Sequence, residues 1–145
     1  MSIAITINGG TRLIEKIAGV EKLLANPKET LEEIGDLVLE EKEEQFKTQG
    51  ARFNSPWAAL SKATQMQKIK LGYGNAGILQ RTGKLLAGFK KTVQRYKVTV
   101  SNPVKYYEYH QLGMGFNPRR PMLDTPETMK QNIVEIINKA IRKLL

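Results

Sequence analysis

The spacing of the apolar residues changes along this chain, and that alone confines it to a mixed architecture. Ile3, Ile5 and Ile7 alternate with Ala4 and Thr6, the period of a half-buried strand. Asn8-Gly9-Gly10 then reads as a turn. From Thr11 the spacing becomes helical, with Leu13, Ile17, Val20 and Leu24 on one stripe. Asn26-Pro27-Lys28-Glu29 reads as a helix restart: Asn26 caps, Pro27 takes the first helical position and Glu29 reaches back to the cap. The helix that follows carries Leu31, Ile34, Leu37, Val38 and Phe46 and stops at Gly50. Its Glu40–Glu44 run is expected to keep the second half largely solvated. At the far end Thr125-Pro126-Glu127 reads as a cap, a first-position proline and an early acid. Met129, Ile133, Ile136, Ile137, Ala140 and Leu144 continue as one stripe, and Arg142 and Lys143 suit the negative end of the helix dipole.

The middle of the chain is more broken. Ser61 is placed to cap a short helix running to Leu71, with Met66 and Ile69 as its apolar contacts. Trp57 reads as a loop anchor into the core. Gly72–Gly77 reads as a mobile loop tip or hinge. A helical turn over Lys84–Ala87 is entered through Thr82-Gly83. Lys91–Gln94 and Tyr96–Ser101 read as two strands joined by a tight turn near Arg95, with Val98 and Val100 alternating with Thr99. Tyr106–Leu112 is a helical turn or short strand, and Pro118 and Pro121 force an extended path. The expectation is a single α+β domain over residues 1–145, with a small antiparallel-type sheet packed against N-terminal and C-terminal helices. Residues 1–50 hold the first strand and helices, 51–77 a loop and short helix, and 78–145 the remaining strands and the last helix.

The formal net charge of +9 raises the prior for a polyanionic partner. Its distribution says more than its sum. Glu29, Glu32, Glu33, Asp36, Glu40, Glu41, Glu43 and Glu44 crowd one helix, whereas no acid occurs from Ala51 to Tyr107. Such a chain can fold its acidic helix back on its own basic half. It can also set an acidic face against the basic face of another copy, or present the basic face to nucleic acid. The chain has no cysteine, which excludes disulfides, thiolate metal sites and a cysteine nucleophile. No apolar run reaches the length of a membrane-spanning helix, and the N-terminus lacks the features of a secretory signal.

Catalytic chemistry finds little support. Gly77–Lys84 imitates a phosphate loop, but five residues separate its glycines and Leu85 stands where a Ser or Thr is needed. His110 is the only histidine, and Glu108 alone beside it does not make a metal site. With no nucleophile motif to serve, His110 reads as a structural histidine donating a hydrogen bond to backbone. Neither a cofactor nor a metal is expected.

The stretch Tyr106–Pro121, YYEYHQLGMGFNPRRP, concentrates three of the five tyrosines, the lone histidine, two glycines and an Arg-Arg pair. Aromatics and arginine are the residues enriched where proteins dock. Its tyrosine-histidine part is expected to pack inside the subunit. Met114, Phe116, Arg119 and Arg120 are expected to be offered to a neighbour.

Four ordered pieces carry a family resemblance. They are Trp57-Ala58-Ala59-Leu60-Ser61, the stretch Ile78-Leu79-Gln80-Arg81-Thr82-Gly83-Lys84-Leu85, Tyr106 with His110-Gln111-Leu112-Gly113, and Pro118-Arg119-Arg120-Pro121-Met122-Leu123. In this order they resemble the W-x-x-L-S, I-L-x-x-T-G-x-L, Y-A-x-x-H-Q-x-G and R-P-F-L segments of the phage virion morphogenesis family. Tyr107 and Met122 depart from the usual small and aromatic residues. The resemblance implies a non-enzymatic structural subunit that completes the tail or joins it to the head. Trp57, Leu79, Thr82, Gly83, Tyr106, His110, Gly113 and Pro121 would be its structural motif residues. It further implies a ring-forming homo-oligomer, often a hexamer, and contacts with tail tube or head connector proteins. The place of action would be the virion, and the host bacterial cytoplasm during assembly. A basic DNA-binding module is the alternative reading, and non-specific DNA contact is compatible with both.

Overall fold

A computed structural model describes residues 2–6 and 18–144. The fold is mixed α+β, as the apolar spacing requires. Three strands, β1 (Ile3–Thr6), β2 (Lys90–Gln94) and β3 (Lys97–Ser101), form a sheet in the order β1-β3-β2. Six helices are described: α1 (Ala18–Ala25), α2 (Lys28–Lys47), α3 (Lys62–Lys70), α4 (Lys84–Ala87), α5 (Tyr107–Leu112) and α6 (Glu127–Leu144). Ile7, the Asn8-Gly9-Gly10 turn, Leu13 and Ile17 lie outside the described residues.

The chain divides into two compact units that interleave in sequence. One comprises Ser2–Leu39, Lys90–Val100 and Thr125–Leu145, and the other comprises Glu40–Phe89 and Ser101–Asp124. The first unit holds the sheet. β1 runs antiparallel to β3, with Ile3 opposite Val100 and Ile5 opposite Val98. Only Arg95 and Tyr96 separate β2 from β3, a connection short enough for antiparallel pairing alone. Val98 and Val100 are buried while Lys97 is exposed, so the strand alternation seen in sequence is the alternation of the sheet faces. Leu31 and Ile34 of α2 pack with Val98, and Val93, Ile133, Ile136 and Ile137 close over them. Helical stripes from early and late in the chain thus meet at the buried Val98 face of the sheet.

Both proline-marked helix starts fall one residue later than the sequence signals imply. The Pro27 carbonyl accepts from the Leu31 amide at 2.9 Å, and the Pro126 carbonyl from the Lys130 amide at 3.1 Å. Each proline therefore sits at the cap and not at the first helical position. A proline lacks an N–H, so it costs nothing in either place.

The second unit is built on aromatic edges. Phe46 meets Trp57 with ring centroids 5.1 Å apart and Phe89 at 6.1 Å, and Phe89 meets Tyr107 at 5.6 Å. The interplanar angles of 90°, 76° and 90° are edge-to-face, the arrangement ring quadrupoles favour. The second half of α2 is not largely solvated, contrary to expectation. Glu41, Lys42 and Gln45 are buried with Phe46. Arg52 closes on Glu41 with two charge-assisted bonds of 2.6 and 2.7 Å, and the Lys42 ammonium lies 5.0 Å from the Phe89 ring centre. Each charge is buried because its partner is folded over it.

Helix α3 reverses a second expectation. The Thr64 amide donates to Ser61 Oγ at 3.2 Å, so Ser61 caps as anticipated. Met66 and Ile69, however, point outward, 71% and 67% exposed, and the helix buries Lys68 instead. The Lys68 ammonium donates to the carbonyls of Ala76 at 2.7 Å and Gly77 at 3.1 Å. Those bonds pin the glycine-rich loop to α3 and fix which face of the helix turns in.

Candidate functional site

The segment Arg120–Leu123 is the knot of the second unit. Four of its backbone polar groups are buried and bonded to side chains from other segments. The Pro121 carbonyl accepts from Gln45 Nε2 at 2.7 Å and from Trp57 Nε1 at 3.0 Å. Gln111 Oε1 accepts from the Met122 and Leu123 amides at 2.8 and 3.1 Å, and its Nε2 donates to the Leu123 carbonyl at 2.7 Å. Arg120 donates through Nε and Nη2 to the Ala58 carbonyl at 3.0 and 2.8 Å. The Arg120 amide itself donates to the His110 carbonyl at 2.7 Å. Three of the four sequence pieces that carry the family resemblance are therefore cross-linked by hydrogen bonds.

Two motif glycines are there for backbone geometry. Gly83 has φ of +73° at the entry to α4, and a Cβ there would meet nothing, so the requirement is conformational. Gly113 has φ of +70° where it ends α5, and a Cβ would also come within 2.9 Å of the Arg119 backbone. Leu79 adopts φ of +63° without being glycine, a sparsely populated conformation for a branched side chain.

Beside this knot lies a cleft of about 640 Å³. All four pieces contribute to its walls: Leu60 and Ser61, then Leu79, Arg81, Thr82 and Leu85, then Tyr106 and His110, then Pro118 and Arg120. Phe116 stands at the same cleft and is fully exposed. No Asp or Glu is among the lining residues, whereas Lys68, Arg81 and Arg120 are. Among the described residues no group of three His, Asp or Glu is placed to hold a metal ion.

Within Tyr106–Pro121 the division into an inner and an outer half is corrected residue by residue. Tyr107 and Gln111 are buried, but Tyr106 and Tyr109 are 41% and 48% exposed, because α5 is a helix and presents alternating faces. Met114, Phe116 and Arg119 are exposed. Arg120 is not: it is 5% exposed, and the carbonyls of Ala58 and Ala59 draw its guanidinium inward. Sequence reasoning treated the two arginines as a pair, and the alternation of an extended segment separates them. It also missed Gln45, Gln111 and Lys68. Gln111 stands within the H-Q-x-G piece of the resemblance, whereas no local pattern marks Gln45 or Lys68.

His110 does not form the expected bond to backbone through Nδ1, which is buried without a hydrogen-bond partner. Its ring instead meets Tyr106 edge-on at 6.3 Å. Burial, and secondarily the Arg120 guanidinium, hold the imidazole below its ordinary protonation range. The unfolded chain then binds a proton that the native state refuses. Stability present above the ordinary imidazole value near ~6.5 is lost as pH falls through it towards the lower native value. Urea unfolding between neutral and mildly acid pH is expected to show this slope, and His110→Gln to flatten it. Parallel slopes for the two proteins would remove His110 from the account.

The geometry joins the four ordered pieces at one place, and a wider comparison agrees with them. The chain matches the model of the phage virion morphogenesis family over residues 10–142 of 145. No curated protein and no solved structure matches it. The match takes in nearly the whole chain, including the acidic helix that the four pieces do not reach, and the chain belongs to the phage virion morphogenesis family, a family of phage structural and assembly proteins.

Proposed function

We propose that this protein is a non-enzymatic subunit that completes the tail, or joins tail to head, by self-association and docking. The observation that carries this reading is the placement of its exposed apolar side chains. Of the eleven large hydrophobic residues exposed among those described, nine fall in two stretches of the second unit. One stretch is Met66, Ile69, Leu71 and Tyr73; the other is Tyr106, Tyr109, Leu112, Met114 and Phe116. Concentrated exposed apolar surface marks sites of protein contact. A ring-closing interface meets such a surface with a different surface of the next copy, whereas a two-fold dimer would use one surface twice. Membership of the family supports association with the virion, and no described helix is long and apolar enough to cross a membrane.

The test is capping of tail tubes. Purified protein mixed with tubes is expected to decorate their ends in negative-stain images and to sediment with them. Protein that neither self-associates nor binds tube ends at any salt concentration would defeat the proposal.

A second reading rests on the hairpin of the sheet unit. Lys90, Arg95 and Lys97 are exposed there, and the Arg95 guanidinium lies 5.1 Å from the Tyr96 ring centre. Such a tip can touch a phosphate backbone without reading sequence. Duplex binding that weakens with salt would support it, and no binding at low salt would end it.

A further inference from the structure

The cleft of the second unit carries a field of one sign. Lys68 and Arg120 donate to carbonyl oxygens, which satisfy their hydrogen-bonding groups without neutralising their charge. Arg81 is exposed at the cleft, its guanidinium 5.9 Å from the Tyr73 ring centre. With no carboxylate in the walls, the cavity favours a negatively charged visitor. Its apolar walls, Leu60, Leu79, Leu85 and Phe116, favour protein over a bare phosphate chain.

The same chain carries the complement on another surface. In α2 the carboxylates Glu29, Glu33, Asp36, Glu40 and Glu43 are all exposed. They follow one another at three- and four-residue steps, and so lie on one face of the helix. Asp36 is engaged by Lys91 and Glu43 by Lys42. Glu33 and Glu40 stand two turns apart, about 10 Å along the axis.

We propose that the cleft of one copy receives the acidic face of α2 from a second copy, with Arg81 as the cation that engages the incoming carboxylates. This rests on the self-association reading and names its two surfaces. Because cleft and helix face are different surfaces of the same chain, each copy offers one and accepts the other. The contact is heterologous and propagates from copy to copy.

The experiment is a charge exchange in the full-length protein. Arg81→Glu alone, and Glu33→Lys with Glu40→Lys together, each set like charge against like. All three positions are exposed, and thermal melts of the variants check that they fold. Sedimentation velocity is expected to show that each variant needs roughly tenfold or more protein to associate than wild type. An equimolar mixture of the two is expected to recover wild-type association, since each variant's cleft then meets an opposite helix face. Variants that associate normally, a mixture that does not recover, or a wild-type protein that stays monomeric at every concentration and salt would each overturn the pairing. Tail-tube capping measured on the same samples separates this from the broader proposal: wild-type capping alongside any of these outcomes leaves the function standing without this interface. If Arg81→Glu changes only binding to duplex DNA, the cleft belongs to nucleic acid and the pairing fails.

Discussion

Replacing Gln111 by leucine is expected to destabilise the protein by about 3–9 kcal/mol, although the two side chains are close in size. Three buried backbone groups depend on this one amide: the Met122 and Leu123 amides, which donate to its oxygen, and the Leu123 carbonyl, which its nitrogen reaches. Met122 and Leu123 are 0% and 2% exposed, so water does not replace the lost partner. Each stranded group costs about 1–3 kcal/mol, against a total stability for a domain of this kind of about 5–15 kcal/mol. Urea denaturation monitored by Trp57 fluorescence is a direct measure, because the indole shares the Pro121 carbonyl next in sequence to Met122. Gln111→Glu keeps the acceptor but loses the donor and buries a carboxylate. It is expected to lie between the two and to gain stability as pH falls and the carboxyl takes a proton. A Gln111→Leu loss below about 1 kcal/mol would show that the segment holds itself in place.

The role of Gln111 marks the boundary of what the sequence makes legible. Ile3 with Ile5, the Val98-Thr99-Val100 alternation and the Met129–Leu144 stripe are local patterns, and each maps to the element it implies. Local pattern also identifies Ser61 as a cap, because a cap bonds three residues on. It fails where a polar residue takes its meaning from a partner far along the chain. Gln45 binds Pro121 and Lys68 folds a loop back upon its own helix, and nothing adjacent to either residue announces it. Met66 and Ile69 mislead for the same reason: helical spacing predicts an apolar face but not which way it turns, and the buried Lys68 decides that. The cleft shows the reverse case. Its four contributing pieces are short and individually weak in sequence, yet their order is informative because the fold brings them to one place.

Arg119 and Arg120 are expected to separate folding from assembly. Arg120→Glu removes a buried guanidinium from the Ala58 and Ala59 carbonyls and sets a carboxylate against them, so acceptors face acceptors. The expected loss is at least about 3 kcal/mol, seen as an earlier urea midpoint. Arg119→Glu acts on an exposed side chain beside exposed Met114 and Phe116 in sequence, and its effect on unfolding is expected to stay within about 0.5 kcal/mol. Its effect on tail-tube capping is expected to be large if this stretch docks on a neighbour, since reversed charge at an interface rim slows encounter and disfavours the bound state. The pair of measurements is informative in both directions. Equal losses of stability would mean that Arg119 is held as Arg120 is. Unchanged capping by a well-folded Arg119→Glu protein would remove this stretch from the docking surface. Capping lost in Arg119→Glu with stability intact would place the stretch on that surface, because a folded subunit that cannot dock has lost contact and not structure.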